Sequence, residues 1–248
     1  MTNSIMKNSK NQLLLLYLSL ILVSCSSHRI PSTPTPVSID SEIKQLLQDN
    51  NCKPPCFLGI IPEQTTVEEL ETIFTRYGTP LQKSSFGYST PRDEQLIPYT
   101  TFSIRDNKVH SISISVATTN EFAWFLYSPK NVMERFGTPS KVEFGMTSVN
   151  GSLMQGWYTM KYYYDDLDFV IQYLGLEVRL AELITVCPNT DKFNNASLSL
   201  GKDPVLRLLD TFNFPLEEVT SFTLESFREY MLGTAACFDL KGKAWQDI

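Results

Sequence analysis

Histidine occurs only twice in 248 residues and glycine only 11 times. Neither residue is arranged for chemistry. A nucleophilic triad needs a histidine, and His28 lies in a Ser/Thr/Pro-rich stretch, which leaves His110 alone in the part able to fold. There is no G-x-S-x-G, no H-E-x-x-H and no glycine loop to cradle phosphate. The absence of such motifs predicts no cofactor and no metal. Asp165-Asp166-Leu167-Asp168 lacks the glycine and later ligands of a calcium loop. Basic residues are also short, with Lys+Arg 21 against Asp+Glu 27 and a net charge of −6. That balance argues against nucleic acid as a partner and against polybasic attachment to anionic lipid. No apolar run reaches the roughly 20 residues that a permanent membrane-spanning helix needs.

What is present begins at the N-terminus. Lys7 and Lys10 precede a leucine-rich run from Leu13 to Val23, with no acidic residue before it. A basic start and an apolar stretch of roughly 11 residues have the form of a secretory signal segment. Its end, Leu22-Val23-Ser24-Cys25, resembles the bacterial lipobox. The resemblance implies cleavage before Cys25, diacylglyceryl and fatty-acid (palmitate) modification of that residue, and a place on the extracytoplasmic side of a bacterial membrane. One acyl chain holds a protein only marginally, whereas two hold it stably at about 0.8 kcal/mol per buried CH₂. The following Ser26-Ser27-His28-Arg29-Ile30-Pro31-Ser32-Thr33-Pro34-Thr35-Pro36 is predicted to be a semi-extended stalk.

With Cys25 taken by lipid, Cys52, Cys56, Cys187 and Cys237 remain. An even count outside the cytoplasm predicts two disulfides. Three pairings exist, and the favoured one joins Cys52 to Cys56 across Lys53-Pro54-Pro55, leaving Cys187 for Cys237. The spacing suits neither a zinc ribbon nor a two-residue redox motif.

The remaining chain, 42% hydrophobic with 15 Phe and 11 Tyr, has ample material for a core. Its main pattern is an offset of 59. Arg76-Tyr77-Gly78-Thr79-Pro80 recurs as Arg135-Phe136-Gly137-Thr138-Pro139, Tyr99-Thr100 as Tyr158-Thr159, and the turn Asp106-Asn107 as Asp165-Asp166. Before each Gly-Thr-Pro, apolar residues fall three and four apart, as on one helix face: Val67, Leu70, Ile73, Phe74 and Tyr77, then Val132, Met133 and Phe136. After each, alternation predicts hairpins, with Ile112, Ile114 and Val116 interleaved with serines. Asn150-Gly151 predicts a further turn. The expected class is α+β, with tandem repeats of a helix packed on antiparallel sheet.

The stretch Leu58-Gly59-Ile60-Ile61-Pro62-Glu63-Gln64-Thr65-Thr66-Val67, ending in Tyr77-Gly78-Thr79-Pro80, resembles an I-x-P-G-x-T pattern. That pattern belongs to small outer-membrane lipoproteins of the SmpA/OmlA type and to the related fold of β-lactamase inhibitor proteins. The resemblance covers about half the chain and implies tandem helix-on-sheet units. Glu63 stands where the pattern has glycine, and the second copy lacks this opening. No contact residue carries over. The Cys52-Lys53-Pro54-Pro55-Cys56-Phe57-Leu58-Gly59-Ile60 opening is similar to that of uncharacterised bacterial lipoproteins and implies no activity.

The expected layout is a signal segment over 1–24, a lipidated stalk over 25–38, repeats over 39–119 and 120–180, and a mostly helical C-terminal segment over 181–248. Asp40 to Gln48, a stretch starting at Asp203-Pro204, Pro215 to Val219, and Leu224 to Leu232 are predicted helices.

Carboxylate catalysis would have to use Asp165, Asp166 and Asp168, or Glu68, Glu69 and Glu71. The first set belongs to a turn and the second to the first turn and outer face of a helix, positions where such residues are ordinary. The strand around Trp157 is more telling. Tyr158, Met160, Tyr162 and Tyr164 share its core face, while Trp157, Thr159, Lys161 and Tyr163 share the other. Trp157, Lys161 and Tyr163 therefore form a candidate surface for an unknown protein or envelope component. The alternative is that this face is covered by the C-terminal segment. The leading expectation is a non-enzymatic, membrane-anchored binding or scaffold module. An exported carboxylate-dependent hydrolase and an inhibitor of a secreted enzyme are the alternatives.

Overall fold

Thr66 starts the first helix by chemistry legible in its neighbours. Its hydroxyl accepts from the Glu69 backbone N–H at 3.3 Å, and the Glu69 carboxylate accepts from the Thr66 backbone N–H at 2.8 Å. This reciprocal cap opens α1 (Val67–Arg76), which buries Leu70 and Phe74 and stops where Gly78 turns to φ 66°. In the computed structural model the residues described are 41, 45, 48, 51–92, 97–119, 121–149, 152–179, 185–187, 193, 195–201, 212–233 and 237–241. The signal segment, Cys25, the stalk, the Asn150-Gly151 turn and the stretch from Asp203 lie outside them. Ser41, Gln45 and Gln48, inside the first predicted helix, are helical.

After α1 come β1 (Gln82–Ser84), β2 (Gly87–Ser89), β3 (Tyr99–Arg105) and β4 (Lys108–Ala117). Helices α2 (Glu121–Tyr127) and α3 (Pro129–Phe136) follow, then β5 (Lys141–Val149), β6 (Ser152–Tyr164) and β7 (Phe169–Arg179). The tail supplies β8 (Thr185–Val186), β9 (Asn195–Leu200), β10 (Phe212–Pro215), α4 (Leu216–Val219), α5 (Leu224–Leu232) and β11 (Phe238–Asp239). Gly78 and Gly137 follow α1 and α3, and both Asp turns close hairpins. Asp106 and Asn107 both take positive φ, as a two-residue hairpin turn requires.

The expectation of tandem helix-on-sheet units with a mostly helical tail is overturned. Antiparallel strands dominate, in one nine-stranded sheet of order β1-β2-β3-β4-β9-β7-β6-β5-β10, accompanied by a few small helices. The class remains loosely α+β. Two helices do stand near where spacing placed them, α4 and α5, but the tail also builds the sheet. β9 lies between β4 and β7 and pairs antiparallel with both. Its apolar side chains face like neighbours on each side. Ala196 meets Val116 and Tyr173, Leu198 meets Ile114 and Ile171, and Leu200 meets Ile112 and Phe169. All nine are buried. The physical reason for one sheet is that β4 and β7 would each end a separate unit with an unpaired row of backbone groups, and β9 satisfies both rows.

The helices cover the apolar face of the sheet. Phe74 of α1 meets Phe102 of β3 edge-on at 5.4 Å, and Phe227 of α5 meets Tyr162 of β6 at 6.1 Å. Ser38–Ile248 forms one unit. Cys52 is bonded to Cys56 and Cys187 to Cys237. The second bridge adjoins the β8–β11 pair, where Val186 lies opposite Phe238. Closing a loop of 50 residues restricts the unfolded chain by roughly 4 kcal/mol in the entropy model.

Because β9 is central, Leu198→Ala is expected to lower stability by about 2–5 kcal/mol while unfolding stays a single transition. Urea denaturation measures this, and a change near zero would show that β9 is not part of the core.

Candidate binding face

β6 positions the candidate residues by alternation. On its core face Tyr158, Met160, Tyr162 and Tyr164 are buried among Phe193, Tyr173, Phe227 and Phe169. The hydroxyls of Tyr173 and Tyr164 donate to the backbone oxygens of Tyr127 at 3.0 Å and Gly137 at 3.2 Å. The Tyr158 ring lies over Gly175, where a Cβ would come within 2.2 Å of it, so only glycine fits there. Burial pushes the Tyr127 and Tyr158 hydroxyls up to about 12. Burial likewise holds Tyr162, Tyr164 and Tyr173 well above the usual tyrosine value.

The opposite face carries Trp157, Thr159, Lys161 and Tyr163. Trp157 and Tyr163 are half-buried, whereas Lys161 is 5% exposed and Thr159 0%. Lys161 Nζ donates to Asn213 Oδ1 of the edge strand β10 at 2.8 Å. Tyr163 Oη donates to Glu143 Oε2 at 2.7 Å, and Lys141 Nζ lies 3.0 Å from Glu143 Oε1. Lys141 also sits over the Tyr163 ring, 4.2 Å from its centroid. Burial alone would raise the Glu143 carboxyl. The hydrogen bonds from Tyr163 and Lys141, with the charges of Lys141 and Lys161, outweigh it and hold Glu143 below the ordinary carboxylate value. Glu143 is thus a fixed anion that orients two side chains, not a proton donor.

Register extends this face across the sheet. Lys161 is opposite Glu143 and Gln172, Gln172 opposite Ser197, Ser197 opposite Ser115, and Ser115 opposite Tyr99. At β4 the hydroxyls of Ser111, Ser113 and Ser115 are half-buried, and the Ser103 and Ser111 oxygens lie 2.6 Å apart. Arg92 packs over the Tyr99 ring at 4.9 Å. Toward β9, β7 and β6 the same face closes, with Ser199, Val170, Gln172, Thr159 and Lys161 all buried. Trp157, Lys161 and Tyr163 therefore share one face of β6, with Trp157 and Tyr163 half-buried and Lys161 buried.

The carboxylates proposed for hydrolysis fall elsewhere. Asp165 and Asp166 are exposed in the turn between β6 and β7, and Asp168 follows with φ 44°. Glu68 and Glu69 line an open hollow of about 540 Å³ beside α1. Glu69 is spent on the helix cap, and the bonds from Thr66 lower its pKa, the opposite of what a general acid needs. Among the described residues no group of three or more His, Cys, Asp or Glu could hold a metal ion.

Sequence reasoning did not find two of these arrangements. Glu143, Lys141 and Asn213 meet Lys161 and Tyr163 only through cross-strand register, which a single strand's alternation does not reveal. Glu63 pairs with His110 Nδ1 through Oε1, and it holds φ 65°, the left-handed conformation that glycine adopts freely. No local spacing signals that pair, whose members are 47 residues apart. The segment is clipped to the β3–β4 turn, with Glu63 N–H donating to Val109 O at 2.7 Å and Val109 N–H to Thr65 O at 2.9 Å.

No protein-family model matches the chain, and neither the curated proteins nor the solved structures contain a match.

The buried tyrosines set an alkaline limit. Unfolded tyrosines ionise near pH 10, whereas Tyr127 and Tyr158 hold their protons to about 12. Between those values the unfolded state binds fewer protons, so stability is complete below pH 10 and falls as pH rises toward 12. Ultraviolet titration of tyrosinate is expected to leave Tyr127, Tyr158, Tyr162, Tyr164 and Tyr173 protonated until the chain unfolds. Reversible ionisation of these five tyrosines near pH 10 would contradict this burial.

Proposed function

We propose that this chain is an exported lipoprotein, held by lipid on Cys25 at the extracytoplasmic side of a bacterial membrane. Its folded part serves as a non-enzymatic binding or scaffold module for a protein or envelope component. The observation that carries the reading is the order Lys7, Lys10, the leucine-rich run and Leu22-Val23-Ser24-Cys25. Two disulfides support it, since such bonds persist in oxidising compartments. Among the described residues no helix is long and apolar enough to cross a membrane.

The binding role rests on the half-buried Trp157 and Tyr163 of β6 and on the half-buried serines of β4, which lie on the same sheet face with β9 and β7 between them. Rigid aromatic side chains over a polar sheet give contact area at little cost in conformational entropy. In the hydrolase alternative Glu69 would not serve as the general acid, because its cap lowers its pKa.

Metabolic labelling with an alkyne-bearing palmitate tests the anchor. The natural chain is expected to take up label and to stay with membranes through high-salt washing, and Cys25→Ser is expected to lose the label. Undiminished labelling of Cys25→Ser would sink the proposal.

A further inference from the structure

Helix α2 has the sequence Glu121-Phe122-Ala123-Trp124-Phe125-Leu126-Tyr127, apolar on every side after its first residue. A helix of that kind is normally enclosed. Here only Ala123, Leu126 and Tyr127 are buried; Phe122 and Trp124 are half-buried and Phe125 is 62% exposed. We propose that α2 is a lipid-contacting element, resting its Phe125 and Trp124 side chains in the interface of the bilayer to which the chain is tethered. This rests on the proposed anchoring at Cys25.

Three observations favour a bilayer as the occupant. The first is area. Phe86 and Phe125 are the only large hydrophobic residues strongly exposed among the described residues. A helix of seven residues, roughly 10 Å long, falls well short of the roughly 800 Å² per partner of a stable protein interface. A tethered domain needs far less, because the tether supplies a high effective concentration.

The second is reach. Twelve residues lie between Cys25 and Ser38, where the compact unit begins, and an extended chain bridging them spans about 45 Å. The third concerns the backbone. Carbonyls at the end of a helix are costly in a low-dielectric setting unless satisfied. The Phe125 oxygen already accepts from Ser128 Oγ at 3.2 Å and from Asn131 Nδ2, and the Tyr127 oxygen accepts from Tyr173 at 3.0 Å. α2 can thus meet the interface without stranding these groups. Aromatic side chains favour that depth, and the chain's net charge of −6 makes their attraction, rather than cationic binding, the available one.

The test uses the full lipidated chain in phosphatidylcholine vesicles, with Trp157→Phe and Trp245→Phe so that Trp124 reports alone. Brominated phosphatidylcholine carrying bromine near the headgroup is expected to quench Trp124 strongly. Phe125→Ser, at an exposed position, is expected to weaken that quenching about two-fold or more with the circular dichroism unchanged. Co-flotation with vesicles but no quenching of Trp124 by brominated lipid would overturn this inference alone. Absence of co-flotation would overturn the anchoring and this inference together. Should the double variant misfold, hydrogen exchange of the natural lipidated chain decides: slower exchange at 121–127 in vesicles than in the detergent-free Cys25→Ser chain supports lipid contact, and equal exchange refutes it.

Discussion

The pairing of β9 with both β4 and β7 is the constraint on which the rest of the structure depends. Each of Ala196, Leu198 and Leu200 faces apolar neighbours on two sides, so the six residues of β9 and their partners in β4 and β7 form one buried layer. Nothing local compels this. A strand reached about 80 residues after β4 must close a long loop before it gains any contact, and only the unpaired rows on two inner edges reward it. Once in place it joins two halves that would otherwise each present an edge. The remaining outer edges are short, with three residues in β1 and a terminal proline in β10, as is usual for edges that must not pair further.

That arrangement also decides what the polar face can do. Ser197 and Ser199 of β9 continue the serines of β4 toward Gln172, Thr159 and Lys161, so hydroxyl and amide groups run across most of the sheet. Glu143 fixes the far end, binding Tyr163 and Lys141 in definite positions. The proposed module would therefore present a rigid rim rather than a mobile loop, and a rim of this kind loses little entropy on binding.

Much of this was legible locally and some was not. The Thr66–Glu69 cap, the glycine stops, the two-residue turn at Asp106-Asn107 and the favoured cysteine pairing follow from neighbouring residues or simple counting. The two faces of β6 follow from a period of two. The location of β9 did not follow, although Asn195-Ala196-Ser197-Leu198-Ser199-Leu200 alternates as cleanly as the serines and isoleucines of β4. It belongs to no repeat at one offset, because its partners β4 and β7 lie on either side of it in the sheet. The environment of Lys161 was hidden for the same reason: Glu143 and Asn213 approach it from two other strands. The pair of Glu63 with His110 joins residues 47 apart and depends on a backbone conformation unfavourable to glutamate.

The most direct measurement is native-state hydrogen exchange at the backbone amides of Asn195–Leu200. A central strand opens only when the whole unit unfolds, so these amides should exchange with the same free energy as those of β4 and β7 and respond equally to denaturant. Exchange of the β9 amides through a cheaper partial opening, with β4 and β7 still protected, would contradict the single-sheet account.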